Sequence, residues 1–146
     1  MKTKVLFFAL LIAAGSLTAQ TSADKEAVYK ACMGYIEGFY EGDTLKLTNS
    51  LRPRLHKYGF WQNDSGEYKL TDKMSFQQAK NYAKGVIEKK NFPAADAPKK
   101  VEVLDVMEHI AAAKVTAWWG VDYMLLSKED GVWMIEEVLW QGPLQQ

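Results

Sequence analysis

Residues 112–140 read AAKVTAWWGVDYMLLSKEDGVWMIEEVLW. Apolar residues crowd both parities of this run. Val115, Ala117 and Trp119 alternate with Lys114, Thr116 and Trp118. Further on, Trp133, Ile135 and Leu139 alternate with Met134, Val138 and Trp140. A strand sends neighbouring side chains to opposite faces, so a regular strand pair here is apolar on both. Val, Ile, Tyr and Trp suit a pleated, buried surface. Asp130-Gly131 marks a tight reversal and predicts a long hairpin. Gly120 interrupts its first arm, where a bulge or bend belongs. A hairpin apolar on both sides needs two covers. Upstream helices supply one, and a second copy of the chain is the expected other.

Working outward, Lys100–Ile110 reads as a further strand. Upstream, Val28, Cys32, Tyr35, Ile36 and Phe39 recur at helical spacing within a helix predicted over Thr21–Tyr40, with Thr21 and Asp24 as a cap. Asp43 can cap a short second helix through about Leu51, on Leu45, Leu47 and Leu51, and Pro53 ends it. Tyr58, Phe60 and Trp61, the Asp64-Ser65-Gly66 turn and Glu67–Leu70 predict a short hairpin. Ser75 and Gln78 form a capping box for a third helix on Phe76, Ala79, Ala83, Val86 and Ile87. Helices first and long antiparallel strands after give an α+β class.

The 146 residues fit one domain, and 48% hydrophobic with 25% charged residues is an ordinary globular balance. Lys plus Arg and Asp plus Glu both number 18. That balance, with no basic block, argues against nucleic acid as a partner. Residues 1–19 read as a secretory signal peptide: Lys2 and Lys4, an apolar run from Val5 to Ala14, then small residues before Gln20. The run is too short to span a bilayer. A single mature domain over 20–146, periplasmic or secreted and without a stable membrane anchor, is expected. Processing removes Lys2 and Lys4 and no acid, so the neutral chain becomes −2. Cys32 has no partner for an internal disulfide and sits where a small buried hydrophobe belongs.

The order of elements resembles the nuclear transport factor 2-like superfamily. GFYEGD (38–43), YGFW (58–61), MSFQQAKNYAKG (74–85), PKKVEVLDV (98–106), AKVTAWWGVDYMLL (113–126) and WMI with VLWQ (133–141) look like its secreted bacterial branch labelled "putative lumazine-binding". The resemblance implies a cone-shaped fold, with three N-terminal helices packed on a bent antiparallel sheet. It also implies dimers paired through the sheet. It does not transfer one activity, because the superfamily holds isomerases, dehydratases, cyclases and many non-enzymes.

Aromatic residues reach 12%, with five Trp. Tyr35, Phe39, Trp61, Trp118 and Trp119 are the expected walls of a pocket for a small, flat, partly apolar ligand; plain core packing is the alternative. Glu137 shares its strand side with Trp133, Ile135 and Leu139, and so is expected to face inward. A carboxylate there has a raised pKa and can act as general acid or base; a place near the cone mouth is the alternative. Asp122 joins it on one face for a two- or four-residue turn. A three-residue turn with a bulge at Gly131 puts the two on opposite faces and gathers Val121, Tyr123 and Leu125 with Trp133 and Ile135; it makes the better core and is the preferred reading, which weakens an Asp122–Glu137 pair. Asp105 and His109 stand about 13 Å apart on a strand, too far for a dyad. No metal set and no cofactor is expected. Met134, Val138 and Trp140 form the expected dimer patch. The leading function is a secreted small-molecule-binding module. An enzyme using Glu137 and a structural dimeric interaction domain are the alternatives.

Overall fold

The computed structural model describes residues 3–144, with side chains from residue 22 onward. The expected signal peptide, 1–19, and its cleavage point lie outside those described side chains. Helix α1 spans Thr3–Glu41 and runs through Thr21, so no helix start stands at the expected cap. Its apolar stripe works as read: Val28, Cys32, Tyr35, Ile36 and Phe39 are all buried. Asp24, on the same helix, accepts from Lys128 Nζ at 2.8 and 3.1 Å and from Trp133 Nε1 at 2.9 Å. That ties the helix to the sheet.

Asp43 caps α2 (Thr44–Ser50), its carboxylate accepting from the Leu45 and Lys46 amides. Leu47 and Leu51 are fully buried, while Leu45 faces water. Helix α3 (Phe76–Glu88) opens on the expected capping box: Ser75 N donates to Gln78 Oε1, and Gln78 N to Ser75 Oγ. Ala79, Ala83 and Val86 are its buried positions, and Ile87 lies outside them.

The strands are β1 (Leu51–Gln62), β2 (Tyr68–Leu70), β3 (Lys100–Val106), β4 (Ile110–Ala117), β5 (Gly120–Glu129) and β6 (Val132–Gly142). They form one six-stranded sheet in the order β2-β1-β6-β5-β4-β3. Every neighbouring pair is antiparallel except β1–β6, which is parallel. So the stretch read as half of a small hairpin is a twelve-residue strand in the main sheet. Pro53, which removes a ladder donor, sits in the register gap between Leu51 and His56, where β1 leaves its partner.

The long hairpin is really three strands. The chain reverses at Trp118-Trp119, closing Ala117 against Gly120. Gly120 has φ +143°, and a Cβ there would stand 2.0 Å from the Gln141 carbonyl oxygen. The residue read as a bend is the start of a new strand. At Asp130-Gly131 the turn has two residues, both with positive φ, and joins Glu129 to Val132.

A bulge in β6 then decides which side chains meet. Leu126 faces Ile135, but Leu125 faces Glu137, so Glu136 is the extra residue. One extra residue reverses the alternation. Trp133 and Ile135 are buried before the bulge, and Val138 is buried after it. Asp122, Met124 and Leu126 complete that inner face. Three expectations are corrected here. Glu137 is exposed on the outer face. Tyr123 and Leu125, read as core, are 55% and 54% exposed. Met134, Val138 and Trp140 do not share a face.

Candidate functional site

The pocket grows out of three sheet rows and two helices. In the first row, Gly59 on β1, Trp140 on β6 and Asp122 on β5 stand side by side. A Cβ on Gly59 would come within 2.6 Å of the Trp140 ring, so the bare backbone is what lets that ring lie over β1. In the next row Lys57 stands beside Val138 and Met124. In the third, Trp61 stands beside Gly142, again ring over glycine, with ring atoms 2.9 Å from where a Cβ would be. Helix α1 brings Tyr35 and Phe39 over these rows, and α3 brings Tyr82.

The result is a cavity of about 170 Å³ lined by Tyr35, Phe39, Lys57, Trp61, Met74, Tyr82, Trp118, Trp119 and Trp140. Around Tyr35, Phe39 and Trp119, ring edges meet ring faces. Tyr35 lies 5.0 Å from Phe39 and 5.9 Å from Trp119, and Trp119 lies 5.7 Å from Phe39. These T-shaped contacts fix the walls. Trp118 and Trp61 are both exposed and mark the mouth, while Trp119 reaches inward. Both of these neighbouring tryptophans line the cavity, at different depths. Tyr40 holds their turn in place, accepting from the Trp118 amide at 2.9 Å and donating to the Pro98 carbonyl at 2.5 Å.

One charged array lies against this aromatic box. Asp122 is fully buried. It accepts from the Tyr35 hydroxyl at 2.6 Å and from Trp119 Nε1 at 2.8 Å. Lys57, only 7% exposed, donates from Nζ to the Tyr35 oxygen at 2.8 Å and stands 3.8 Å from Asp122 Oδ2. Its ammonium also lies over the rings of Trp140, Tyr35 and Trp119 at 5.2, 5.5 and 5.9 Å. Burial pushes the Lys57 pKa down, and the Asp122 charge works the other way. Burial first, then the Asp122 charge, push the Tyr35 phenol well above its ordinary value. Among the lining residues Lys57 is the cation, so the cavity offers flat apolar walls with one positive group at their base.

Of the residues singled out from sequence, Tyr35, Phe39, Trp61, Trp118 and Trp119 line the cavity, and Asp122 lies behind Tyr35 and Trp119. Glu137 is on the other side of the sheet, beside Leu125 and His56. Lys57, Met74, Tyr82 and Trp140 were missed. The signal for Lys57 was available: it sits between buried Leu55 and Gly59 with period two, which places a lysine on an inward face. His56 and His109 are exposed, and no group of metal-ligating side chains gathers among the described residues. Cys32 is buried, and that burial, with the Asp122 charge adding, pushes its thiol up to about 12.

Solved structures share this architecture at low identity. A nuclear transport factor 2-like protein of unknown function from Silicibacter pomeroyi DSS-3 is 18% identical, with a TM-score of 0.64 over 82% of this chain and 96% of that one. One from Shewanella baltica OS155 is also 18% identical, with a TM-score of 0.61 over 82% and 93%. The association domain of C. elegans CaMKII is 11% identical, with a TM-score of 0.55 over 82% and 96%. At such identities the likeness concerns the fold. No curated protein matches the chain. The chain has the nuclear transport factor 2-like fold and, by the match of the family model over residues 23–141, belongs to the family described as "Putative lumazine-binding".

Proposed function

We propose that the protein binds a small, flat, largely apolar compound in the aromatic cavity, with an anionic or electron-rich edge turned toward Lys57. The observation that carries this reading is the placement of one buried ammonium at the base of walls made of rings. Rings give area and orientation, and a lone desolvated cation selects the group it meets. The family description supports the reading, and it suggests lumazine as a first probe.

The test is a titration with lumazine followed by tryptophan fluorescence. Four of the nine lining residues, counting Trp61, Trp118, Trp119 and Trp140, are themselves reporters. Lys57→Met keeps the stem and removes the charge; it is expected to weaken binding about tenfold or more, since a charged partner contributes roughly 1.5–3 kcal/mol. Glu137→Gln, on the opposite face of the sheet, is expected to bind as the wild type does. Equal affinity in wild type and Lys57→Met sinks the role given to Lys57. No fluorescence response at millimolar lumazine removes lumazine as the ligand. The enzymatic alternative that used Glu137 loses its acid, because that carboxylate faces outward.

Two further parts of the reading concern the whole molecule. We infer export with cleavage near Gln20, which mass spectrometry of the secreted or periplasmic protein checks; a mature chain that begins at Met1 ends that idea. We also infer a homodimer built on the outer face of the sheet, around Tyr123, Leu125 and Leu139.

A further inference from the structure

Lys57 differs from an anchoring cation in one respect: it is wired to a proton acceptor. Its Nζ donates to the Tyr35 oxygen at 2.8 Å, and the Tyr35 hydroxyl donates to Asp122 Oδ2 at 2.6 Å. A proton that leaves Nζ for the Tyr35 oxygen, as the phenolic proton moves to Asp122, turns ammonium and carboxylate into amine and acid. Both products are neutral, so the dry surroundings favour the exchange relative to water. A desolvated lysine freed of its proton in an apolar pocket is a nucleophile.

We propose that the pocket takes one-ring aromatic aldehydes and ketones and that Lys57 condenses with their carbonyl carbon. This rests on the pocket being a ligand site, and it adds the class of ligand and a reversible covalent step. Space agrees: an apolar cavity of about 150 Å³ holds a benzene ring, and this one is about 170 Å³.

The step balances. The Nζ lone pair forms a bond to the carbonyl carbon, and the C=O π pair moves to oxygen. A proton shift from nitrogen to oxygen gives a neutral carbinolamine. The proton held on Asp122 returns through Tyr35 to the hydroxyl, which leaves as water as the nitrogen lone pair forms C=N. Overall, an aldehyde and a lysine ammonium give an iminium and one water. The positive charge is on Nζ at the start and again at the end of the exchange, so the ionised Asp122 regains its counter-ion. No oxidant, metal or second reactant is needed.

The full chain is incubated with benzaldehyde and cyanoborohydride at neutral pH, and the reduced adduct is mapped by peptide mass spectrometry. Lys57 is expected to carry the benzyl group at least tenfold above the mean of the exposed lysines. Excess benzyl alcohol, which fills the same space without a carbonyl, is expected to suppress that label selectively. Lys57→Arg keeps the charge and is expected to lose the selective label. Tyr35→Phe breaks the proton path and is expected to slow labelling at Lys57 about tenfold or more relative to the exposed lysines. Label spread evenly over the lysines, with benzyl alcohol still quenching, overturns the condensation and leaves the ligand site standing. No quenching by either compound overturns both.

Discussion

Asp122→Ala is expected to lower the unfolding free energy by about 3–5 kcal/mol, the usual cost of breaking a buried ion pair by removing one partner. Asp122 is fully buried, and three donors point at it: Tyr35, Trp119 Nε1 and, at 3.8 Å, Lys57. Taking the carboxylate away leaves the Lys57 ammonium among rings with only the Tyr35 oxygen to accept from it. The attraction of three aromatic faces is too weak to replace a buried counter-ion; each such contact is worth about 0.5–2 kcal/mol. The double substitution Asp122→Ala with Lys57→Met removes both charges at once. It is expected to recover more than half of the loss, because the stranded cation, more than the lost bonds, causes it. Urea unfolding of the wild type and the two variants measures this. A loss below about 1 kcal/mol for Asp122→Ala, or a double variant no better than the single one, ends the claim that the pair is a coupled buried unit.

The sequence made most elements visible because their signals are local. Asp43, and the Ser75–Gln78 pair, cap helices through contacts two or three residues away. The α1 stripe and the Asp130-Gly131 turn are equally local. The errors sit where one residue changes a parity or where partners are distant in sequence. Glu136 is such a residue. Its bulge reverses the alternation between Ile135 and Val138, and nothing in EEV announces that. Reading the strand as regular therefore turned Glu137 inward and Val138 outward. The turn pattern was also misjudged, yet Asp122 and Glu137 still fall on opposite faces, because a two-residue turn followed by a bulge has the same parity as the three-residue turn. The role of Arg54 was likewise invisible. It pairs with Glu129 and Glu136, 75 and 82 residues away, at the site of the bulge. Glu136 also accepts from Ser127 on the facing strand. The extra residue is held by these partners, and Arg54 reaches it only once β1 has joined β6.

The parallel joining of β1 to β6 had no local signal either, and it is what makes the pocket. A separate small hairpin would carry Trp61 and Lys57 away from Trp140. Inserted beside β6, β1 places Lys57 next to Val138 and brings it, one strand away, within reach of Asp122 on β5. The aromatic content was legible as a pocket or a core. The cation that gives the pocket its chemistry was overlooked because a lysine in a basic, proline-containing stretch reads as surface.

Leu139→Asp is expected to convert the proposed homodimer into a well-folded monomer. On the outer face, Tyr58, Leu139, Tyr123 and Lys114 stand in one row across β1, β6, β5 and β4. The next row is His56, Glu137, Leu125 and Ala112. Tyr123, Leu125 and Leu139 thus form an apolar centre with polar residues at its ends, and together they expose several hundred Å², a patch monomers seldom leave open. Pairing the face with itself about a two-fold axis hides it with one self-complementary surface. Lys114 and Glu137 lie at opposite ends of the patch, where antiparallel pairing of two copies brings unlike charges together. An aspartate at position 139 enters such an interface twice, once from each copy. At about 3–5 kcal/mol for each unpaired buried charge, the two together raise Kd by about four powers of ten or more. In the monomer the same side chain is solvated, so the thermal stability of the single fold is expected to hold. Ile87→Asp, at an exposed apolar position on α3, is the matched control and is expected to leave the dimer intact. Sedimentation at micromolar concentration decides it. A wild-type protein that runs as a monomer, or a Leu139→Asp variant that still dimerises, removes this face as the interface.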